Sequence, residues 1–152
     1  EGYNYICETN SAGVMTAGSG WLTDAQTESH ANGYENKFGK DFNSDGLVSG
    51  GSAYQLFGNS GIYTFKDSGG GTYSDDSSSE WNMTAAKQTG SKFDVLLEGI
   101  DGTSKEGYNY ICETNSAGVM TAGSGWLTDA QTTSNGYESI FNVDFNKNGI
   151  ID

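Results

Sequence analysis

The sequence predicts a mostly β protein whose repeat unit contains an antiparallel meander, a hairpin and one short helix that leads into a polar loop. Three observations predict this fold. A long segment recurs letter for letter, short apolar and aromatic runs alternate with turns rich in Gly, Asn and Ser, and a single stretch of each copy has helical spacing. A fixed repeat of this length indicates an array of similar structural units.

The repeat defines the domain organisation of the chain. The segment Glu1–Thr27 recurs without a change as Glu106–Thr132. One complete unit therefore spans 52–152, and 1–51 corresponds to the C-terminal half of a preceding unit. Because the first residue lies in the middle of a unit, we expect the full protein to be much longer than this chain.

The complete unit opens with a predicted β-hairpin. Ala53–Phe57 and Ile62–Lys66 are apolar and aromatic runs, and the Gly-Asn-Ser-Gly sequence between them is a turn signal. The next segment, Asp67–Ser79, is Ser, Gly and Asp almost throughout, which indicates a flexible loop.

Four further strands form the predicted antiparallel meander. Trp81–Ala86 and Lys92–Glu98 are separated by a turn around a glycine, and apolar residues alternate along the second of them. The pair Asp101-Gly102 is a hairpin-type turn signal. It is followed by an alternating run, Tyr108–Glu113, and, after another turn, by the start of a fourth strand at Val119–Ala122.

One stretch of each copy is predicted to be helical. Tyr137, Ile140 and Phe141 lie at positions i, i+3 and i+4, and Tyr34 and Phe38 match them in the first copy. This spacing predicts one or two turns of helix that end just before the polar loop.

Charge and composition exclude several classes of function. The formal net charge is −13, with 20 acidic residues, and all 7 basic residues are lysines. Nucleic-acid binding relies on Lys and Arg that neutralise phosphates, and anionic membranes attract basic segments, so neither is an expected partner. No apolar run approaches the roughly 20 residues of a membrane-spanning helix, and we expect no membrane insertion. Cations are the natural partners of such an acidic chain.

Cysteine and histidine usage argues against a catalytic device in every unit. Cys7 and Cys112 occupy the same position in the two copies. We expect each to be a reduced cysteine buried on a strand; a bridge between units and a reactive or metal-binding thiol are the alternatives. His30 is the one histidine, and it lies in Glu28–Asn32, which faces the shorter Thr133–Asn135 on a predicted surface loop. A repeated Ser-His-Asp or Cys-His site is therefore excluded, and we expect the protein not to be an enzyme.

Each copy ends in a loop with regularly spaced Asp and Asn residues. A D-x-[DN]-x-[DN]-G loop offers oxygens from alternate positions and a glycine for its sharp bend, and calcium takes six to eight oxygens at about 2.3–2.6 Å. The predicted ligands stand at positions 1, 3, 5, 7 and 9, where position 7 offers a backbone carbonyl and points its side chain into the core. In the two loops they are Asp41, Asn43, Asp45, Leu47 and Ser49, and Asp144, Asn146, Asn148, Ile150 and Asp152. The sequence therefore predicts two EF-hand- or dockerin-like calcium loops, with Ca²⁺ as the cofactor.

The predicted sites are one acid short of an EF-hand. Position 12, which is a bidentate carboxylate in an EF-hand, would be Ser52 in the first loop. The loops are therefore closer to those of dockerin and thrombospondin-type domains. We expect Glu35 and Glu138, which lie six residues upstream of the two loops, to be the first candidates for an additional ligand.

An ordinary Asx-rich surface turn is the alternative to a calcium site. The recurrence of the loop after the same predicted helix favours calcium. The second loop has Asn148 where the first has Asp45. The lower charge predicts weaker binding at the second loop unless Asp152 compensates.

Several motifs follow one another in a fixed order along the chain: Tyr54-Gln55-Leu56, Trp81, Ala85, Phe93–Gly99, Asn115–Val119, Ser124-Gly125-Trp126, Tyr137-Glu138, Phe141 and Asp144-Phe145-Asn146. Their order resembles a known family, the tryptophan-rich repeat domain near the C-termini of large secreted cyanobacterial proteins. The resemblance covers nearly the whole chain, and 1–51 carries the second half of the same pattern. It implies secretion, a tandem arrangement and association with calcium-rich surface proteins, and it implies no reaction. One departure is Ile62-Tyr63-Thr64, where the family pattern has a tryptophan-bearing strand.

These observations predict a non-enzymatic, calcium-stabilised, extracellular tandem-repeat protein that forms a cell-surface filament, sheath or adhesin stalk. The strands of 1–51 lack their first partners, and open strand edges pair with other chains, so we expect copies of the protein to associate head to tail as a homopolymer. The first calcium loop would then tie successive units together.

The alternative function is a carbohydrate-binding module of a secreted surface protein, with cell-surface polysaccharide as its partner. In this interpretation Trp21, Trp81 and Trp126 are stacking platforms. In the structural interpretation Trp21 and Trp126 fill the core between helix and sheet.

Overall fold

The computed structural model describes residues 2–28 and 33–152; Ser29–Asn32, which include most of the predicted surface loop and His30, lie outside the described residues. In chain order the described elements are β1 (Tyr3–Thr9), β2 (Met15–Thr23), α1 (Asp24–Glu28), α2 (Tyr34–Phe38), β3 (Leu47–Val48), β4 (Gln55–Gly58), β5 (Gly61–Thr64), β6 (Trp81–Thr89), β7 (Lys92–Gly99), β8 (Tyr108–Thr114), β9 (Met120–Thr128), α3 (Asp129–Ser134) and α4 (Tyr137–Phe141).

The strands form three antiparallel sheets, which confirms the predicted mostly β class. Their orders are β1-β2, β3-β4-β5 and β6-β7-β8-β9. The predicted hairpin is β4-β5, and the predicted meander is the four-stranded sheet. The Asp101-Gly102 pair lies in a longer connection between β7 and β8, in which the Thr103 Oγ1 hydroxyl donates to the Ile100 carbonyl at 2.6 Å.

Each copy contains two short helices rather than the single one that the spacing predicts. The predicted helices are α2 and α4, and the additional ones are α1 and α3. Helix α3 begins with a capping box, in which the backbone N–H of Gln131 donates to Thr128 Oγ1 and the Gln131 side chain accepts from the Thr128 N–H. This pattern satisfies N–H groups that the first helical turn leaves without partners. None of the described helices is long and apolar enough to cross a membrane.

The four-stranded sheet is covered on both faces. One face packs on the three-stranded sheet in a core that includes Leu56, Phe93 and Val95. The other face packs on α4 and the second loop in a core that includes Leu96 and Phe141. Successive residues of one strand are therefore buried on opposite faces, because side chains alternate across a sheet.

The three-stranded sheet joins the two copies of the repeat. We call 52–105 the front half of the unit, 106–152 its back half, and 1–51 the first back half. Strand β3 belongs to the first back half, yet Leu47 pairs with Leu56 of the front half and Val48 pairs with Gln55. Both β3 residues are at most 2% exposed, so the core of the complete unit includes residues from the preceding repeat.

Candidate metal centre

The two polar loops follow helices that end in the same way. The residues after α2 and α4 are Gly39 and Asn142, both in the left-handed region at φ 59° and 60°. Their backbone N–H groups donate to the carbonyls of Glu35 and Glu138. A left-handed residue of this kind is a common helix stop, and it turns the chain into the loop.

In the first loop, the Asp41 carboxylate lies over the loop backbone. Its Oδ1 accepts from the Ser44 N–H at 2.6 Å, and its Oδ2 accepts from the Gly46 N–H at 2.9 Å. Asn43 Oδ1 accepts from the Asp45 N–H at 3.1 Å, and Asp45 Oδ1 accepts from the Leu47 N–H at 2.6 Å. The three predicted side-chain ligands of this loop are thus turned toward its own N–H groups.

The second loop repeats this arrangement. Asp144 accepts from the N–H groups of Asn148 and Gly149 at 3.1 and 2.7 Å. Asn146 Oδ1 also accepts from the Asn148 N–H at 3.0 Å, and Asn148 Oδ1 accepts from the Ile150 N–H at 2.7 Å. The substitution of Asn148 for Asp45 therefore keeps the hydrogen bond and removes one charge.

The backbone of the two loops requires a glycine at position 6. Gly46 and Gly149 have φ of 88° and 85°, which side chains rarely adopt. At Gly46 a Cβ atom would also overlap the carbonyl oxygen of Ala86. The first loop therefore approaches strand β6 at a distance that glycine alone permits.

The first loop is bonded to the front half of the next unit. The Ala86 N–H donates to the Asp45 carbonyl at 2.7 Å, and the Phe57 N–H donates to the Gly46 carbonyl at 2.8 Å. Lys87 Nζ donates to the Ser44 carbonyl at 3.2 Å. The side-chain oxygens of the loop thus face its own backbone, while three successive carbonyls of the loop face the neighbouring unit.

Glu35 connects the two ends of the first loop. Its side chain is 0% exposed. Oε1 accepts from the Phe42 N–H at 2.8 Å, and Oε2 accepts from both the N–H and the hydroxyl of Ser49 at 3.1 Å. In the structure its carboxylate holds the entry and the exit of the loop together. The role of Glu35 as an additional metal ligand stays a prediction.

Glu138 has the same place at the second loop. Its Oε1 accepts from the Thr133 hydroxyl at 2.7 Å and the Phe145 N–H at 2.9 Å, and its Oε2 accepts from the Asp152 N–H at 3.2 Å. The hydrogen bond from the Thr133 hydroxyl, together with those from the backbone N–H groups of Asp152, Asn146 and Phe145, lowers the pKa of Glu138 below its ordinary value.

The residues at position 7 differ between the loops. Leu47 is 2% exposed and points into the core as expected, but Ile150 is 60% exposed. The expectation for the Ile150 side chain is therefore wrong in this structure, because no strand equivalent to β4 lies beside it among the described residues.

The donor set of each loop fits a hard cation. All predicted ligand atoms are oxygens, which calcium prefers, and the carboxylates are accompanied by amides. Within 2–28 and 33–152 no group of three His, Cys, Asp or Glu side chains lies close enough together to hold a metal. A cation at either loop would rely on amide and backbone oxygens as well as on carboxylates.

The tryptophans of the alternative interpretation occupy two different surroundings. Trp81 and Trp126 line an apolar cavity of about 190 Å³ together with Tyr73 and Tyr110. The Trp126 ring packs edge-on against Tyr110, with ring centroids 5.5 Å apart. Trp21 is 72% exposed on the first back half.

The two cysteines also differ in their surroundings. Both are free thiols; Cys112 is buried on β8 and Cys7 is exposed on β1. Burial raises the pKa of Cys112 to about 12. Cys112 is thus the buried, reduced cysteine that we expected, whereas Cys7 is a free thiol that is exposed rather than buried.

Comparison with known proteins identifies no relative of this chain. No protein-family model matches it, and neither does any curated protein or solved structure.

Proposed function

We propose that this chain belongs to a non-enzymatic, calcium-stabilised, tandem-repeat structural protein of the cell surface, in which copies join head to tail into a filament, sheath or adhesin stalk. The observation that carries the proposal is the position of the first loop. Its side-chain oxygens form the candidate calcium site, and its backbone carbonyls at Asp45 and Gly46 accept hydrogen bonds from Ala86 and Phe57 of the following unit.

This position links cation binding to the joint between units. The loop backbone is fixed on one side by the Asx side chains and on the other by strands β4 and β6. Calcium, when bound, supplies the positive charge that offsets the repulsion among the loop's oxygen donors. Any ligand that binds the folded state alone stabilises it by mass action, so calcium should stabilise the joint together with the loop.

The low charge of the loops suits an extracellular setting. Calcium affinity depends on the number of charged ligands, and extracellular modules bind with dissociation constants of about 10⁻⁴–10⁻³ M. The first loop offers the carboxylates of Asp41 and Asp45, and the second those of Asp144 and Asp152. We expect affinities in that weak range, with the second loop weaker unless Asp152 binds the ion. The resemblance to secreted tryptophan-rich repeat domains agrees with this location.

Calorimetric titration of the chain with calcium tests the site assignment. Asp41→Ala should remove the first site and leave the second, and Asp144→Ala should do the reverse, since the two aspartates hold equivalent positions. Glu8→Ala, which removes an exposed carboxylate of β1, is the control that keeps both sites. An unchanged stoichiometry in both loop variants would refute calcium binding at these loops.

A carbohydrate-binding module is the second candidate, and the exposed Trp21 ring favours it. Trp21 stacks edge-on with Tyr5 at 5.4 Å between ring centroids, and the neighbouring Tyr3 is 67% exposed. Under the structural proposal, tryptophan fluorescence should not change when polysaccharide is added. A saturable shift that Trp21→Ala abolishes would favour the carbohydrate module instead.

A further inference from the structure

The two back halves have the same sequence over most of their strands but differ in what covers them. Cys112 is 3% exposed, whereas Cys7 is exposed. Trp21 is 72% exposed, whereas its counterpart Trp126 is half-buried. Because these segments are identical in sequence, the difference in exposure arises from the neighbouring structure.

The neighbour that covers the second back half is strand β7 of the front half. Val95 lies opposite Cys112, and Leu97 lies opposite Tyr110 in the β7–β8 pair. At the end of the pair, the Phe93 N–H donates to Thr114 Oγ1 at 3.1 Å. In the part of the chain that the structure describes, β1 pairs with β2 alone, so its other edge has no strand beside it.

The other end of the chain shows the same contrast. Leu47 and Val48 are 2% and 1% exposed because they form β3 beside β4. Their counterparts Ile150 and Ile151 are 60% and 43% exposed. Ile150 and Ile151 follow the turn at Gly149 and leave their apolar side chains exposed. Burial of these side chains beside a partner strand would be favourable.

We propose that the open edge of β1 and the segment Ile150–Ile151 are docking surfaces for the front half of a further repeat unit, a segment with the sequence and fold of 52–105. At β1 the occupant's β7-type strand pairs with Tyr5 and Cys7 as β7 pairs with Tyr110 and Cys112. At the other end, Ile150–Ile151 becomes the outer strand beside a β4-type strand.

A second copy of this 152-residue chain does not meet this need. Each chain contains two back halves, 1–51 and 106–152, and one front half, 52–105. That front half already uses β7 to pair with β8 and β4 to pair with β3. A second copy would therefore have to expose one back half in order to cover another, so the occupant is an additional front half. The head-to-tail joint of the proposed filament accordingly requires copies that carry such a front half.

This inference rests on the tandem-repeat part of the proposed function and does not depend on calcium. The test therefore uses a readout that is separate from the metal. It adds the sequence of 52–105 directly ahead of Glu1, which recreates the Lys105–Glu106 junction and introduces no cysteine.

The number of thiols that react with a disulfide reagent in the folded protein is the measurement. In the original chain one thiol per molecule should react, that of Cys7, and Cys7→Ser should leave none. In the extended chain the count should fall from one to zero, both with calcium and in excess chelator. Continued reaction of Cys7 in the extended chain, with Cys112 still protected, would overturn the proposal.

Two controls keep the result interpretable. An extension of the same composition in scrambled order should leave Cys7 reactive, which separates specific docking from simple crowding. A second extension adds the sequence of 50–152 after Asp152, and hydrogen exchange over Gly149–Asp152 should then slow toward that of Gly46–Ser49. Equal exchange of Gly149–Asp152 in the two chains would count against docking even if the first extension failed to fold.

Discussion

At the scale of single residues, the two buried glutamates determine the shape of the polar loops. Glu35 and Glu138 are each 0% exposed, and each accepts hydrogen bonds from N–H groups at both ends of its loop. A buried carboxylate is costly unless donors surround it. The loop backbone supplies these donors, so the glutamate holds the loop closed even before a cation binds.

Glu35→Gln should destabilise the fold by about 1–3 kcal/mol, because the amide group of glutamine would leave the N–H of Phe42 or Ser49 without an acceptor. Glu8→Gln, at an exposed site on β1, should stay within about 0.5 kcal/mol of the original chain. Urea unfolding in chelator measures both variants. Equal stability of the two would show that the glutamate does not hold the loop.

The sequence predicts the local geometry of the polar loops better than the surroundings of these loops. The spacing of Asp41, Asn43 and Asp45 and the glycine at position 6 is a local pattern, and the structure gives these side chains a shared local geometry. The contacts of Glu35 could not be predicted in this way, because spacing along the chain does not specify which N–H groups a buried carboxylate will face. Whether calcium binds at these loops stays a prediction.

At the scale of single elements, strand β3 is the joint between repeats. It consists of two residues, too short for the alternation that reveals a strand in a sequence. Helix α3, with 6 residues, is likewise too short to show the helical spacing of apolar residues. The Thr128 and Gln131 pair of its capping box is the sequence signal that could have predicted it. The hairpin β4-β5 and the four-stranded meander were predictable because their apolar runs are longer and are bounded by glycine turns.

Leu47→Ala should cost about 2–5 kcal/mol, the usual range for truncating a buried leucine. Ile150→Ala, at the same repeat position in the second loop, should cost less than about 0.5 kcal/mol, because Ile150 is exposed. Chemical unfolding of the two variants measures the difference. A similar loss in the free energy of unfolding for both variants would mean that Leu47 in β3 stabilises the fold no more than the exposed Ile150 does.

One aspartate, Asp67, accepts hydrogen bonds from several residues of the Ser- and Gly-rich loop after β5. Asp67 Oδ1 accepts from the N–H groups of Gly69 and Gly71 at 2.8 Å, and its Oδ2 accepts from the Tyr73 hydroxyl at 3.0 Å. The backbone hydrogen bond from Gly71, followed by the one from the Tyr73 hydroxyl, lowers the pKa of Asp67 below its ordinary value of 3.8.

This shift gives a prediction for acid unfolding. A carboxyl whose folded-state pKa is lowered stabilises the fold above its unfolded-state pKa, and the contribution is lost as the pH falls through the folded-state value. The thermal midpoint should therefore decline less steeply below pH 3.8 in Asp67→Asn than in the original chain. Asp101→Asn is the matched control, and identical pH profiles for all three proteins would contradict the role of Asp67.

At the scale of the whole molecule, one complete unit shares its core with the preceding repeat. Strand β7 of the front half pairs with β8 of the back half. Strand β4 of the front half pairs with β3 of the first back half, in a different sheet. The letter-for-letter repeat made the division into units predictable. It could not predict that the two copies differ in exposure, because that difference depends on which neighbours are present rather than on the residues themselves.

We expect calcium to stabilise this arrangement through the two loops, and thermal unfolding at fixed protein concentration measures that stabilisation. With calcium at about 100 times its dissociation constant, the chain should gain about 2.7 kcal/mol per site that is absent from the unfolded state. One such site corresponds to a rise of about 5–10 °C in the midpoint of a chain of this size. Excess chelator should remove the rise, and the double variant Asp41→Ala, Asp144→Ala should not show it. The same midpoint with calcium and with chelator in the original chain would show that calcium does not stabilise the fold, and the two loops would then be ordinary Asx turns.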